Sequence, residues 1–281
     1  MEIGIGLPNA TQGVRGPELT AWAREAEQAG FSSLGTVDRV AYENYEPLVS
    51  LAAAAAVTER IRLATTILLA PLRTNTALFA KQAASVDGLS GGRLVLGLAV
   101  GGREDDYTVS GVDFHARGQA FDRQLDELRR FWDGDEVGPE PAESGGPTVI
   151  LGGTVEAAFE RAAKYGAGWI HGGGPPDQFK EALPKLEAAW KEAGRDGEPR
   201  KMALGYYSLG PDAERNANEK LAHYYGFLGD YAQRIADSAA KDADSVKRYA
   251  AAFEELGCDE FFFFPSDTSP EQVGLLRDAL V

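Results

Sequence analysis

The feature that most constrains this chain is an eightfold alternation. Eight short apolar runs, Ile3–Pro8, Ser33–Asp38, Ile61–Ala70, Arg93–Val100, Thr148–Gly152, Gly168–His171, Lys201–Leu209 and Asp259–Pro265, are separated by segments with helical spacing. Most of the runs are continuously apolar rather than alternating, which is how strands covered on both faces of a parallel sheet read. Leu19, Trp22, Ala23, Ala26 and Ala29 repeat at helical spacing, with Pro17 near the start and Gly30 at the end. Stripes through Leu78, Phe79, Ala83 and Val86, through Phe121, Leu125, Leu128 and Trp132, and through Phe159, Ala162 and Ala163 continue the series. Eight strands alternating with helices predict an α/β fold, a closed (β/α)8 TIM barrel spanning residues 1–281 as one domain. An open, doubly wound sheet is the competing arrangement. Asp212 to Leu256 is longer than one helix needs, so an extra helical insertion is expected between strands seven and eight, with two helices in place of one.

Charge and composition narrow the function. Acidic residues number 43 against 28 basic ones, a net charge of −15. Phosphate-binding surfaces need a basic footprint, so nucleic acid is excluded as a partner. The apolar run Leu51–Val57 falls far short of the ~20 residues a membrane span needs. The start, Met1-Glu2-Ile3-Gly4, lacks the basic and apolar regions of a signal peptide. Cys258 is the single cysteine, which rules out an intramolecular disulfide and fits a cytoplasmic setting, with the thiol as a small buried hydrophobe. The expected partners are a small-molecule substrate, with no nucleic acid and no membrane, and a homodimer as the candidate assembly.

Glycine-rich turns are the most informative motifs. Gly152-Gly153-Thr154 follows the fifth apolar run and opens a helical pattern; Gly172-Gly173-Gly174 follows the sixth. Backbone N–H groups at such helix starts can hold a phosphate, and both turns fall at the strand ends where barrel enzymes bind ligands. Gly97 to Gly102 has the wrong spacing for a dinucleotide fingerprint, and the polar Arg103-Glu104-Asp105-Asp106 follows it. His115, His171 and His223 lack metal-ligand spacing, so no metal is expected; His171 ends the sixth run and would face the mouth. No nucleophile elbow is present, and no carboxylate pair stands out for a barrel hydrolase. Asp38 and Arg39 close the second run.

Ile61–Arg73, Ala80–Asp87 and above all Leu89-Ser90-Gly91-Gly92-Arg93, continuing to Gly97, resemble the luciferase-like monooxygenase family, including its branch that uses the deazaflavin coenzyme F-420. Further similarity lies in Ala26–Phe31, Gly111–Phe114, Arg117-Gly118, Gly152-Gly153-Thr154 and Tyr165–Trp169. The resemblance implies a (β/α)8 barrel with a flavin or deazaflavin across its C-terminal mouth. It also implies a non-prolyl cis peptide at Thr66-Ile67, bulging toward the ring and expected without ligand. Asp38 and Arg39 are the implied catalytic residues. Asp38, Thr66, Ile67, Leu68, Ala99, Gly152, Gly153, Thr154, Gly172 and Gly173 are the candidate cofactor contacts, with Gly152–Thr154 taking the phosphate. Two departures stand out: Arg39 replaces a histidine that many members carry, and Gly102 replaces the acid found in the deazaflavin-linked sugar-phosphate dehydrogenases.

The expectation is therefore an oxidoreductase that transfers hydride to, or monooxygenates, a small organic substrate. Coenzyme F-420 is the first choice of cofactor and FMN the second; a non-catalytic flavin-binding protein of the same fold is the alternative. Gly152→Val should weaken cofactor binding and leave the fold intact. Tyr224, Tyr225, Phe227 and Tyr231 are expected within one extra helix. Tyr224, Phe227 and Tyr231 would share a face, either packed on the barrel or walling a pocket for an aromatic substrate.

Overall fold

Glycines and phenylalanines share the barrel interior. Strand β1 (Glu2–Gly6) alternates isoleucine with glycine, and its neighbour β8 (Glu260–Pro265) carries four consecutive phenylalanines. Successive strand residues face opposite ways, so Phe262 and Phe264 point inward and Phe261 and Phe263 outward. A Cβ on Gly4 would lie 2.6 Å from the Phe262 ring, and one on Gly35 would lie 2.9 Å from both inward rings. The glycines of β1 and of β2 (Ser33–Thr36) thus make room for the β8 side chains.

The computed structural model describes residues 1–281 and closes the sheet as the alternation predicts. The remaining strands are β3 (Arg62–Leu69), β4 (Leu94–Ala99), β5 (Thr148–Gly152), β6 (Gly168–His171) and β7 (Arg200–Tyr207). Each strand pairs in parallel with the next, and β8 returns to β1. Helices cover the outside: α1 (Gly16–Ala29), α2 (Pro47–Ala55), α3 (Thr76–Ser90), α4 (Glu104–Ser110), α5 (Arg117–Asp133), α6 (Glu156–Tyr165) and α7 (Pro176–Glu192). Then come α8 (Ala213–Tyr225), α9 (Tyr231–Ser238), α10 (Ala243–Glu255) and α11 (Glu271–Leu280). The excursion between β7 and β8 therefore holds three helices, one more than its length suggested. The larger apolar core lies between sheet and helices, and Cys258 is buried in it, its thiol pushed up to about 12 by burial. No helix is long and apolar enough to cross a membrane.

An ion network plugs the N-terminal end of the barrel. The Glu260 carboxylate, 1% exposed, accepts hydrogen bonds from Ser32 and Ser33 hydroxyls at 2.6 Å each, from Arg62 at 3.1 Å and from Arg200 at 2.8 Å. Both arginines also reach Glu2 on the rim. A buried carboxylate is tolerable only with such full pairing. The barrel interior is closed at this end.

Candidate active site

A register break in β3 shapes the mouth. The pairing of β3 with β4 shifts between Thr65 and Leu68, and the Thr66–Ile67 peptide is cis, as the family resemblance implied. An unbroken strand sends consecutive side chains to opposite faces; a bulge frees them from that rule. Thr66 and Ile67 both line a cavity of about 410 Å³ at the C-terminal mouth. Leu68, by contrast, is fully buried in the layer between sheet and helices, so its side chain faces away from any ligand in the mouth.

Gly152 has a different task from the one its motif suggested. A Cβ there would run into Ile67 Cδ1 and lie 3.5 Å from Ala99 Cβ. The space above Gly152 is taken by the bulge side chain, so a valine would displace Ile67, and the expectation of an untouched fold is corrected. The Gly152–Thr154 turn lines neither of the two cavities at this end. The amides of Gly153 and Thr154 nevertheless donate to no group within the protein, and neither do those of Gly173 and Gly174.

Asp38 and Arg39 both reach the cavity, each tied to a charged partner. The Asp38 Oδ2 accepts from the Leu69 amide at 2.8 Å and from Arg73, which also pairs with Glu46 at 2.9 Å. Burial pushes the Asp38 carboxyl up, against the pull of Arg73 and of the Leu69 N–H. Asp38 thereby holds the chain just past the bulge. Arg39 is 6% exposed; its Nε donates to Asp106 at 2.6 Å and its Nη2 to Asp105 at 3.0 Å. Asp106 also accepts from the Val40 and Ala41 amides, fixing the loop after β2. The Nη1 of Arg39 is buried and has no partner.

The opposite wall comes from β7 and the insertion. Tyr206, Tyr224, Tyr225, Phe227 and Leu228 line the cavity with Leu204, Gly172 and Ala99. Arg103 ties this wall to α4, donating to the Tyr224 carbonyl at 2.9 Å, stacking on Phe227 at 3.8 Å and pairing with Asp105 at 2.6 Å. The four aromatics do not share one helix. α8 ends at Tyr225, a 3-10 turn spans Gly226–Leu228, and Gly229 at φ 57° redirects the chain before Tyr231 opens α9. Tyr231 lines a second cavity of about 350 Å³ with Gly173, Gly174, Gln178, Arg234 and Tyr249. Gly172, Tyr206 and Tyr225 belong to both cavities.

His171 and Lys220 are buried and line neither of these two cavities. His171 was expected at the mouth; Ile170 takes the inward position, and His171 packs outward between Trp169 and Phe179 at 5.7 and 6.1 Å. Neither ring nitrogen has a partner, and burial lowers its pKa to about 4, so the ring is neutral. Lys220 of α8 sits behind the tyrosine wall, 7% exposed and without a carboxylate partner. Its Nζ lies 3.4 Å from Thr11 Oγ1, 5.7 Å from the Tyr206 ring and 5.4 Å from the Tyr224 ring, and burial lowers its pKa to about 7.

Sequence reasoning missed Arg103, Asp106, Leu204 and Tyr206. A signal existed for Asp106, since an acidic run opening a helix is favoured by the helix dipole and frees carboxylates to accept nearby amides. Tyr206 was hidden inside a strand whose aromatics read as core.

Fold and mouth together define a (β/α)8 barrel with its ligand cavity at the C-terminal ends of the strands, the place where barrel enzymes bind. The chain belongs to the luciferase-like monooxygenase family, whose model matches residues 1–239. An uncharacterized protein of Mycobacterium tuberculosis H37Rv is 32% identical over 207 residues, which span 62% of this chain and 71% of that protein. Among solved structures, an F-420-dependent secondary alcohol dehydrogenase in complex with an F-420–acetone adduct is similar at TM-score 0.80 and 20% identity, covering 100% of this chain and 99% of that one. The monooxygenase RslO1 of Streptomyces bottropensis is similar at TM-score 0.79 and 21% identity, covering 100% and 98%.

Proposed function

We propose that this protein is an oxidoreductase that holds a flat deazaflavin or flavin ring across its C-terminal mouth. In this reading it moves a hydride to, or adds an oxygen atom to, a small organic substrate. The observation that carries the reading is the pair of consecutive side chains, Thr66 and Ile67, facing one cavity whose far wall is aromatic. A convex apolar bulge opposite aromatic rings suits a flat ring system, and about 410 Å³ lies within the range of small-molecule sites.

The residues fit the group. Ile67, backed by Gly152 and Ala99, gives the ring a rigid floor. The unpartnered Nη1 of Arg39 is available to a carbonyl oxygen at the mouth. The free amides of Gly153, Thr154, Gly173 and Gly174, with exposed Arg234 beside the second glycine turn, suit a phosphate. When bound, the ring supplies the electron chemistry; the chain binds, orients and excludes water. Asp38 fixes the segment after the bulge through Leu69, and Phe227 with Leu228 covers the cavity.

Coenzyme F-420 is the first choice, supported by the similarity to an F-420-dependent enzyme, and FMN is the second. The test is titration of the purified protein with each, followed by calorimetry and by ring fluorescence. Saturable binding of one ring, with reduction by a hydride donor or turnover with oxygen, is expected. Failure of both rings to bind would overturn the proposal.

A further inference from the structure

Tyr206 and Tyr225 place their hydroxyl oxygens 2.6 Å apart, with the rings edge to face at 75°. Each phenol owns one proton. One of the two is spent in the bond between them, and neither oxygen has another partner in the protein. Whichever tyrosine donates, the pair keeps one O–H unspent. A phenol whose oxygen already accepts a hydrogen bond is the better donor, because hydrogen-bonded chains polarise one another. The two open spaces beside the pair are the two cavities it separates.

The surroundings say what the spare proton suits. Tyr224 stands 4.9 Å from the Tyr225 ring, its own hydroxyl bonded to nothing in the protein, and the unpartnered Arg39 Nη1 lies on the adjoining wall. The main cavity therefore offers three unspent donor groups. Its two carboxylates, Asp38 and Asp106, are already ion-paired with Arg73 and Arg39. Burial pushes both phenols of the pair up, so they stay protonated. On the second cavity's side, Gln178, Arg234 and Ser238 can serve a polar ligand without help from the pair.

We propose that the Tyr206–Tyr225 pair is the substrate-oxygen subsite, donating its unspent O–H to the carbonyl of a flat, apolar substrate held in the main cavity. This rests on the oxidoreductase reading above and sharpens it: the substrate arrives with an acceptor oxygen and an apolar body, as an aryl ketone or an enone does. Phe227 and Leu204 contact the body; the tyrosines fix the oxygen.

The probe is acetophenone with a 13C-labelled carbonyl, bound to the protein and read by infrared difference spectroscopy and calorimetry. The wild type should shift the carbonyl stretch to lower wavenumber than the Tyr206→Phe/Tyr225→Phe double variant does. The double variant should bind about five- to tenfold more weakly, the loss of one hydrogen bond. Single variants keep one phenol and should fall between. The Phe changes retain both rings, and thermal unfolding confirms that each variant is folded; should the double variant not fold, Tyr225→Phe alone must move the stretch part of the way. An identical stretch in the wild type and the Phe variants overturns the proposal, as does failure of the wild type to bind the probe. So does an effect confined to inorganic phosphate titrated as a second probe, which would assign the spare proton to the second cavity. Ring titration separates the two readings: a protein that shifts the stretch yet binds neither ring keeps this subsite and loses the redox assignment.

Discussion

Lys220→Met is expected to stabilise the protein most at pH 7 and below, with an advantage that fades as the pH rises toward the lysine's ordinary pKa. The lysine is 7% exposed and unpaired, and burial lowers its pKa from 10.5 to about 7. At ~1.4 kcal/mol per pKa unit, that displacement is worth about 5 kcal/mol. The unfolded chain keeps the proton up to its ordinary pKa, while the folded protein gives it up near pH 7. Between these values the unfolded state binds more protons, so wild-type stability rises with pH at up to ~1.4 kcal/mol per unit. Below pH 7 both states are protonated and the full cost of the buried charge is present. Methionine has similar length and no proton to lose, so the variant lacks this slope. Urea unfolding of both proteins at pH 6.5, 8 and 9.5 should show a gap of several kcal/mol at the lowest pH that closes steadily upward. Parallel pH profiles would refute the reasoning. They would mean that the folded protein keeps the ammonium charged, with the Tyr206 and Tyr224 ring faces repaying its burial.

Three further changes test the site and its supports. Gly152→Val, which pushes into Ile67, should cost about 1–3 kcal/mol of stability in urea unfolding and weaken ring binding together; loss of binding alone would return this glycine to the phosphate. Asp38→Asn removes the charge facing Arg73 beneath the mouth and should cost about 3 kcal/mol in the same assay. Glu260→Gln unlocks the plug of Arg62 and Arg200 and should lower stability by a similar amount, about 3 kcal/mol, while leaving ring affinity unchanged, because the plug lies at the other end of the barrel.

The barrel was readable because its strands are buried on both faces and its helices are striped. That same double burial hid which residues of a strand face inward. Trp169, Ile170 and His171 are all apolar or aromatic, so composition could not reveal that Ile170 points in and His171 out. Around β3 the ordinary alternation fails for a second reason. The register shift turns Thr66 and Ile67 the same way and leaves Leu68 facing the helices, which a count of residues along the strand cannot foresee. Asp38, Arg39 and Gly172 stand out by their positions at strand ends and Ala99 through the family resemblance, and all four line the mouth. Within the insertion, Tyr224 to Tyr231 reads as one helix because Tyr224, Phe227 and Tyr231 have helical spacing. Gly229 breaks that spacing with a left-handed backbone, and the stripe became two walls of two cavities. Arg39's partner, 67 positions along the chain, was beyond any local pattern.

The ion network around Glu260 has a kinetic consequence. With that end sealed and Phe262 and Phe264 filling the interior, the ligand cavity is a blind tube, and everything that visits Ile67 enters and leaves by the same mouth. Two ligands sharing such a tube must queue. The one seated against the floor enters first and leaves last, and the one above it controls its exit. Steady-state turnover should then show a compulsory order of addition, with the outer ligand slowing escape of the inner one.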